Sequence, residues 1–172
     1  MRGINMTKNL PIILCGFTSS GKTTIGKLLS EKLDLPFYDT DQMLIEHYQM
    51  TIPEIFAKGG ETLFRDYEHE IARQVCTLGP AVVSTGGGML TFDRNGEILA
   101  KSGIIFYIDR PFEDCYANLA RHPERPLFKN HTKEEVENMY LTRRGLYQKY
   151  AAYSVANTGI PERTAEKIVS LL

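Results

Sequence analysis

No run of 18 apolar residues occurs in this 172-residue chain, so nothing in it reads as a membrane-spanning helix. Neither charge dominates. Twenty Lys and Arg stand against 21 Asp and Glu, a net charge of −1, which leaves no overall basic bias for a nucleic-acid partner. Cysteine is scarce: Cys15, Cys76 and Cys115 form an odd set without metal-ligand spacing. Each falls in an apolar strand or helix pattern and reads as a buried thiol of a reducing compartment. There is no repeat and no low-complexity segment. Met1–Lys8 is too short and polar for a signal peptide, with Met6 as a second candidate start, so the cytoplasm is the expected location. Hydrophobic residues make up 42% of the chain, enough for the core of one domain.

What the sequence does contain is Gly16-Phe17-Thr18-Ser19-Ser20-Gly21-Lys22-Thr23, which fits the phosphate-binding pattern G-x-x-x-x-G-K-[ST]. Chance would supply this pattern in only about one chain of this length in a few hundred. The context is also right. Leu10–Cys15 is an apolar run that reads as a buried strand, and Thr24–Leu33 carries apolar residues at helical spacing. Gly16 and Gly21 let the loop turn its N–H groups inward, toward an anion at the positive end of the helix. Lys22 can reach the outer phosphates, and Thr23 offers a hydroxyl to Mg²⁺. Ser19, Ser20 and Thr24 complete the candidate nucleotide contacts.

Along the chain, strand-like runs at Ile12–Cys15, Pro36–Tyr38, Ala81–Ser84, Ile104–Ile108 and Tyr153–Val155 alternate with helical stretches. This predicts an α/β fold of three layers, α/β/α, around a five-stranded parallel sheet. Ligands of such sheets gather at the carboxyl ends of the strands, so the residues just beyond each strand are the candidates.

Beyond the second strand stand Asp39 and Asp41. One can serve Mg²⁺ and the other an attacking hydroxyl, or Asp41 can simply cap the helix Gln42–Tyr48. Thr51–Glu54 reads as a capping box for a helix through Phe56, broken at Gly59-Gly60. A second helix runs from Glu61 to about Thr77. On it Glu61, Arg65 and Glu68 are helical neighbours, either an exposed ion-pair ladder or the mount of a functional arginine. Beyond the third strand comes Thr85-Gly86-Gly87-Gly88, a plain turn or a place where a ligand approaches the backbone closely. Asp109, after four apolar residues, resembles a Walker-B acid but reads better as the start of the helix Phe112–Ala120. Residues 121–131, with Arg121, Arg125 and two prolines, form either a solvated loop or a lid whose arginines reach a nucleotide. Thr132–Glu135 is a second capping box. It opens a helix to about Tyr150 carrying Arg143, Arg144 and Tyr147, and a last helix covers Thr164–Leu172. His47, His69, His122 and His131 are scattered and read as surface or satisfied core residues.

Together these motifs resemble the shikimate kinase family from about Ile12 to the C-terminus. The resemblance rests on Gly16–Thr23, Phe37-Tyr38-Asp39-Thr40-Asp41, Phe56 with Gly60-Glu61 and Phe64-Arg65, Thr85–Gly88, Arg125-Pro126-Leu127, and Arg143 four residues before Tyr147. It implies a P-loop fold of the nucleoside-monophosphate-kinase type, with a substrate region at about 41–70 and a lid at about 121–132. It also implies ATP and Mg²⁺ as cofactors, and transfer of the γ-phosphoryl group to the 3-hydroxyl of shikimate by a monomer. Lys22, Asp41 and Arg125 would then be catalytic. Asp39 would join Thr23 at the metal. Arg65 and Arg143 would grip the substrate carboxylate. Gly86, Gly87 and Gly88 would meet a hydroxyl, Phe56 and Phe64 would wall the ring, and Arg121 would lie near the adenine. Two departures stand out: only three residues separate Arg121 from Arg125, a short lid, and the turn Asn157–Pro161 matches loosely. A sugar-acid kinase of the same fold and a non-catalytic nucleotide-binding module are the rival readings.

Overall fold

In β1 (Ile12–Cys15) all four side chains are buried. Ile13 and Cys15 enter one apolar layer, and Ile12 and Leu14 enter the other. A strand apolar on both faces must be covered on both faces, which is the environment of a parallel sheet between helices. The computed structural model describes residues 9–123 and 126–172 and shows this arrangement. β1 lies at the centre of five parallel strands in the order β2-β3-β1-β4-β5. The others are β2 (Phe37–Asp39), β3 (Val82–Ser84), β4 (Ile104–Asp109) and β5 (Tyr153–Ala156). Each expected strand is present, with ends moved by a residue or so.

One face is covered by α1 (Lys22–Leu33) and α8 (Pro161–Val169), through Ile25, Leu29, Ala165 and Ile168. The other carries α2 (Thr40–Tyr48), α3 (Ile52–Val75), α4 (Asp93–Ser102), α5 (Phe112–Ala120) and α7 (Lys133–Tyr150). α6 (Pro126–Lys129) is a single turn inside the stretch expected to be loop. The break expected at Gly59-Gly60 is a kink within α3, where Gly60 takes φ 65° and ψ −160°. Both capping boxes, Thr51 with Glu54 and Thr132 with Glu135, are formed. α8 starts at Pro161 rather than Thr164, because proline's fixed φ and missing N–H suit a first helical position. α4 and a 3₁₀ turn at Met89–Thr91 had no counterpart in the sequence reading.

Two local expectations are corrected. Cys15 and Cys115 are buried, but Cys76, at the end of α3, is only half-buried. Burial pushes the Cys15 thiol up to about 12 and that of Cys115 up to about 11, so both stay neutral. Asp109 does not cap α5. It ends β4, and its carboxylate accepts from Tyr107 Oη at 3.0 Å and Arg144 Nη2 at 3.1 Å.

The parallel sheet brings the loops after all five strands to one edge. The buried side chain of Asn157, just past β5, fastens that edge. Its Nδ2 donates to the Ser20 carbonyl at 2.8 Å, and its Oδ1 accepts from the Gly159 N–H at 3.1 Å. Asn157→Ala should therefore cost about 1–3 kcal/mol, the range for stranding buried hydrogen-bonding groups. Urea unfolding checks this, and an unchanged midpoint would show that the link does not hold the loop.

Candidate active site

The loop between β1 and α1 has the conformation its glycines allow, with φ 150° at Gly16 and 98° at Gly21. Lys22 is 8% exposed and turns its ammonium back over the loop. Nζ donates to the carbonyls of Gly16 at 2.8 Å and Phe17 at 2.9 Å. Burial pushes the ammonium pKa down, and the carboxylates of Asp41 and Asp39 pull it back. A cavity of about 360 Å³ opens here. The loop side contributes Ser19, Gly21, Lys22, Thr23 and Thr24, and the end of α5 contributes Asn118, Arg121 and His122. Arg110, Asn157 and Pro161 also line it. Ser20 Oγ, in the same loop, is buried and has no hydrogen-bond partner among the described residues. A cavity with cations and N–H donors at a helix start suits a polyphosphate. Arg125, expected to face it, lies outside the described residues.

The two aspartates divide differently from the capping expectation. Asp39, not Asp41, caps α2: its Oδ1 accepts the N–H groups of Asp41 at 3.0 Å and Gln42 at 3.4 Å. Its Oδ2 accepts from Thr23 Oγ1 at 3.4 Å. Thr23 and Asp39 thus offer adjacent hydroxyl and carboxylate oxygens, the hard donors that Mg²⁺ prefers when it also keeps waters and phosphate oxygens. Asp41, two residues past the cap, has its pKa raised by burial and by the negative charge of Asp39, against Lys22 and Arg65.

The glycine turn is where the remaining groups converge. It is pinned on three sides. The Gly86 N–H donates to Thr40 Oγ1 at 2.9 Å, Tyr147 Oη donates to the Gly87 carbonyl, and Thr91 Oγ1 donates to the Gly88 carbonyl at 2.7 Å. A Cβ on Gly86 would stand 2.6 Å from Asp41 Oδ1, and one on Gly88 would stand 2.5 Å from Arg65 Nη1. A Cβ on Gly87 would lie 3.8 Å from Arg143 Nη1. The turn therefore touches the acid and both arginines in succession.

Arg65 is not one rung of an exposed ladder. Nη1 donates to Glu68 Oε2 at 2.5 Å, and Glu68 is only 2% exposed. Nη2 donates to Glu61 Oε1 at 3.2 Å. Its guanidinium carbon lies 5.1 Å from the ring centres of both Phe64 and Phe92. Arg143 is half-buried and sits 6.0 Å from the Phe17 ring centre, whereas Arg144 points away to Asp109. Phe64 is buried; Phe56, 41% exposed, packs its ring 4.8 Å from it.

Several participants escaped the sequence reading. Arg110 and Asn118 were passed over, although the first directly follows a strand end. His122, read as a surface or satisfied core residue, is exposed and borders the cavity. Arg94 donates to the Arg65 carbonyl at 2.8 Å and to Asp66 Oδ1 at 3.0 Å, bracing α3 beside the guanidinium. No short motif marks it.

Comparisons with known proteins identify the family of the chain. The family model for shikimate kinase matches residues 18–172. A shikimate kinase of Caldicellulosiruptor bescii is 40% identical over 162 residues, 93% of this chain and 94% of that protein. Among solved structures, a shikimate kinase from Acinetobacter baumannii in complex with shikimate superposes with a TM-score of 0.89 at 32% identity. It covers 96% of this chain and 94% of its own. The shikimate kinase of Aquifex aeolicus gives 0.81 at 36% identity, covering 94% and 95%. The chain belongs to the shikimate kinase family.

Proposed function

We propose that this cleft runs the family's reaction with ATP in the cavity at the start of α1 and shikimate against the glycine turn. The activity is ATP-dependent phosphorylation of shikimate, giving shikimate 3-phosphate and ADP on the way to chorismate and aromatic amino acids. The observation that carries the assignment of parts is the turn Gly86–Gly88, which meets Asp41, Arg143 and Arg65 one after another.

In this reading Arg65 and Arg143 clasp the carboxylate, since a planar guanidinium fork matches a carboxylate better than an ammonium does. Glu68 and Glu61 keep Arg65 in its rotamer. Phe64, with Phe56 outside it, borders the ring, and the backbone of the glycine turn receives a hydroxyl. Asp41 accepts the proton of the attacking 3-hydroxyl. Lys22 leaves the loop carbonyls for the outer phosphates, and the N–H groups of Ser19–Thr24 hold the rest of the chain of phosphates. Arg121 lies along the base, and Arg125 adds a cation from the lid. Thr23 and Asp39 hold Mg²⁺, which supplies neutralisation of phosphate charge when bound. The remaining contribution is in-line alignment of acceptor and donor.

Residues of about 41–70 serve as the acceptor region and about 121–132 as the lid. A monomer is the proposed working unit. Among the described residues no helix is long and apolar enough to cross a membrane. The cytoplasm is the location inferred from composition, and no nucleic-acid partner is inferred.

A coupled ADP-release assay with shikimate and gluconate side by side tests the acceptor. Turnover with shikimate is expected, and turnover with gluconate alone would give the site to a sugar acid. Arg65→Ala should raise the KM for shikimate roughly 10–100-fold, as loss of a charged hydrogen bond implies, and the KM for ATP far less. Equal rises in both would remove Arg65 from the carboxylate. Asp41→Asn should lower kcat by roughly 10²–10⁴-fold while leaving the fold intact. The base must be ionised, so activity should rise with pH through the pKa of Asp41, which burial and Asp39 hold above the ordinary carboxylate range. A pH–rate profile flat down through that range would contradict the base role.

A further inference from the structure

We propose that Arg110 is a nucleotide-binding residue of this chain, placing its guanidinium on the phosphate groups of ATP. The inference rests on the nucleotide reading of the cavity and adds to it a residue that no motif marks. Arg110 is one step beyond β4, and β4 pairs directly with the strand that leads into the phosphate loop, Cys15 opposite Tyr107. The two chain paths touch there: a Cβ on Gly16 would lie 2.8 Å from the Ile108 carbonyl oxygen. The Arg110 side chain lines the same cavity as Gly21–Thr24.

Its backbone is fixed, since its carbonyl accepts from Tyr140 Oη at 2.9 Å and faces Cys115 Sγ at 3.8 Å. The charge is not used up locally. The adjacent carboxylate, Asp109, is engaged by Arg144 and Tyr107. Arg110 Nε is buried without a hydrogen-bond partner among the described residues, and none of the described residues lining the cavity is acidic. A half-buried guanidinium with an unsatisfied N–H, in a cavity that already collects Lys22 and Arg121, calls for an anion.

The phosphates are favoured over the base by position. Arg110 and Arg121 flank Pro111 and the nine residues of α5, a helix about 14 Å long, comparable to the length of an extended nucleoside triphosphate. Arg121, with Asn118, stands at the far end from the loop entry. Arg110 stands at the near end, two residues beyond Ile108, whose carbonyl faces Gly16.

The test is calorimetric titration of the full chain with ADP and with AMP, using wild type, Arg110→Met and Arg110→Lys, and thermal unfolding of each without nucleotide. Arg110→Met should weaken ADP about 10-fold or more, and AMP less, with Arg110→Lys recovering part of the loss. The shikimate KM should stay within about twofold. The unfolding midpoint of Arg110→Met should be no lower than that of wild type, because the deleted N–H has no partner to lose. ADP affinity within about twofold of wild type would overturn the proposal. Equal losses for ADP and AMP, or a distinctly lower unfolding midpoint, would do the same by placing Arg110 on the base or in the scaffold. If wild type itself fails to bind ADP, the nucleotide reading of the cavity falls, and the role of Arg110 falls with it.

Discussion

Close approach of side chains to a bare backbone is the constraint on which the site depends. At Gly86 and Gly88 the Asp41 carboxylate and the Arg65 guanidinium occupy space that a Cβ would claim, at 2.6 and 2.5 Å, while at Gly87 Thr18 Oγ1 crowds it at 3.1 Å and Arg143 is in ordinary contact at 3.8 Å. Three consecutive glycines carry a large conformational entropy cost, so the turn has to be held from outside. Thr40, Tyr147 and Thr91 do this with hydrogen bonds from three different elements. Thr40 begins the helix that carries Asp41, and Tyr147 lies on the helix that carries Arg143. The contacts that pin the turn are thus made by neighbours of the groups that face it, so acid, arginine and turn are positioned together.

Charge burial sets the second condition. Glu68 is almost fully buried, and a lone carboxylate there would be strongly unfavourable. Arg65 at 2.5 Å compensates it, and Arg65 is in turn boxed by Phe64 and Phe92. A buried pair of this kind contributes little net stability, because desolvation opposes the attraction. What it does supply is orientation. The guanidinium has lost most of its rotamer freedom before any substrate arrives, and so less entropy remains to be lost on binding.

How far the sequence disclosed all this follows the range of each interaction. The phosphate loop, the aspartate pair and the glycine turn are contiguous, and their residue types alone indicated backbone angles and oxygen donors. The side of α7 that faces inward was also legible, because Tyr147 four residues after Arg143 fixes a shared helical face. Arg144, about 100° away, accordingly leaves the site. What stayed hidden depends on contacts across long stretches of chain. Asn157 meets Ser20, and Arg94 meets the Arg65 backbone, with no local pattern to announce either. α4, Asp93–Ser102, was missed because Asn95 and Gly96 look like loop residues. Both are buried there: Asn95 is bonded to His69 and the Met89 carbonyl, and Gly96 leaves room for the Tyr150 ring. Tertiary packing overrides weak helix propensity in such a segment.

The exchange of roles between Asp39 and Asp41 shows why a helix start serves this chemistry. Two carboxylates two residues apart begin as equals in the sequence. Folding makes them unequal. Asp39 receives two backbone N–H groups and the Thr23 hydroxyl, which fix its oxygens beside the phosphate loop. Asp41 projects past the cap into a half-buried position against Gly86, where desolvation and the neighbouring negative charge raise its proton affinity. An anion held by hydrogen bonds is suited to a cation, and a carboxylate with raised proton affinity is suited to taking a proton from an alcohol. The cap therefore separates the two functions: by satisfying the helix end with Asp39, the fold leaves Asp41 available for the acceptor hydroxyl.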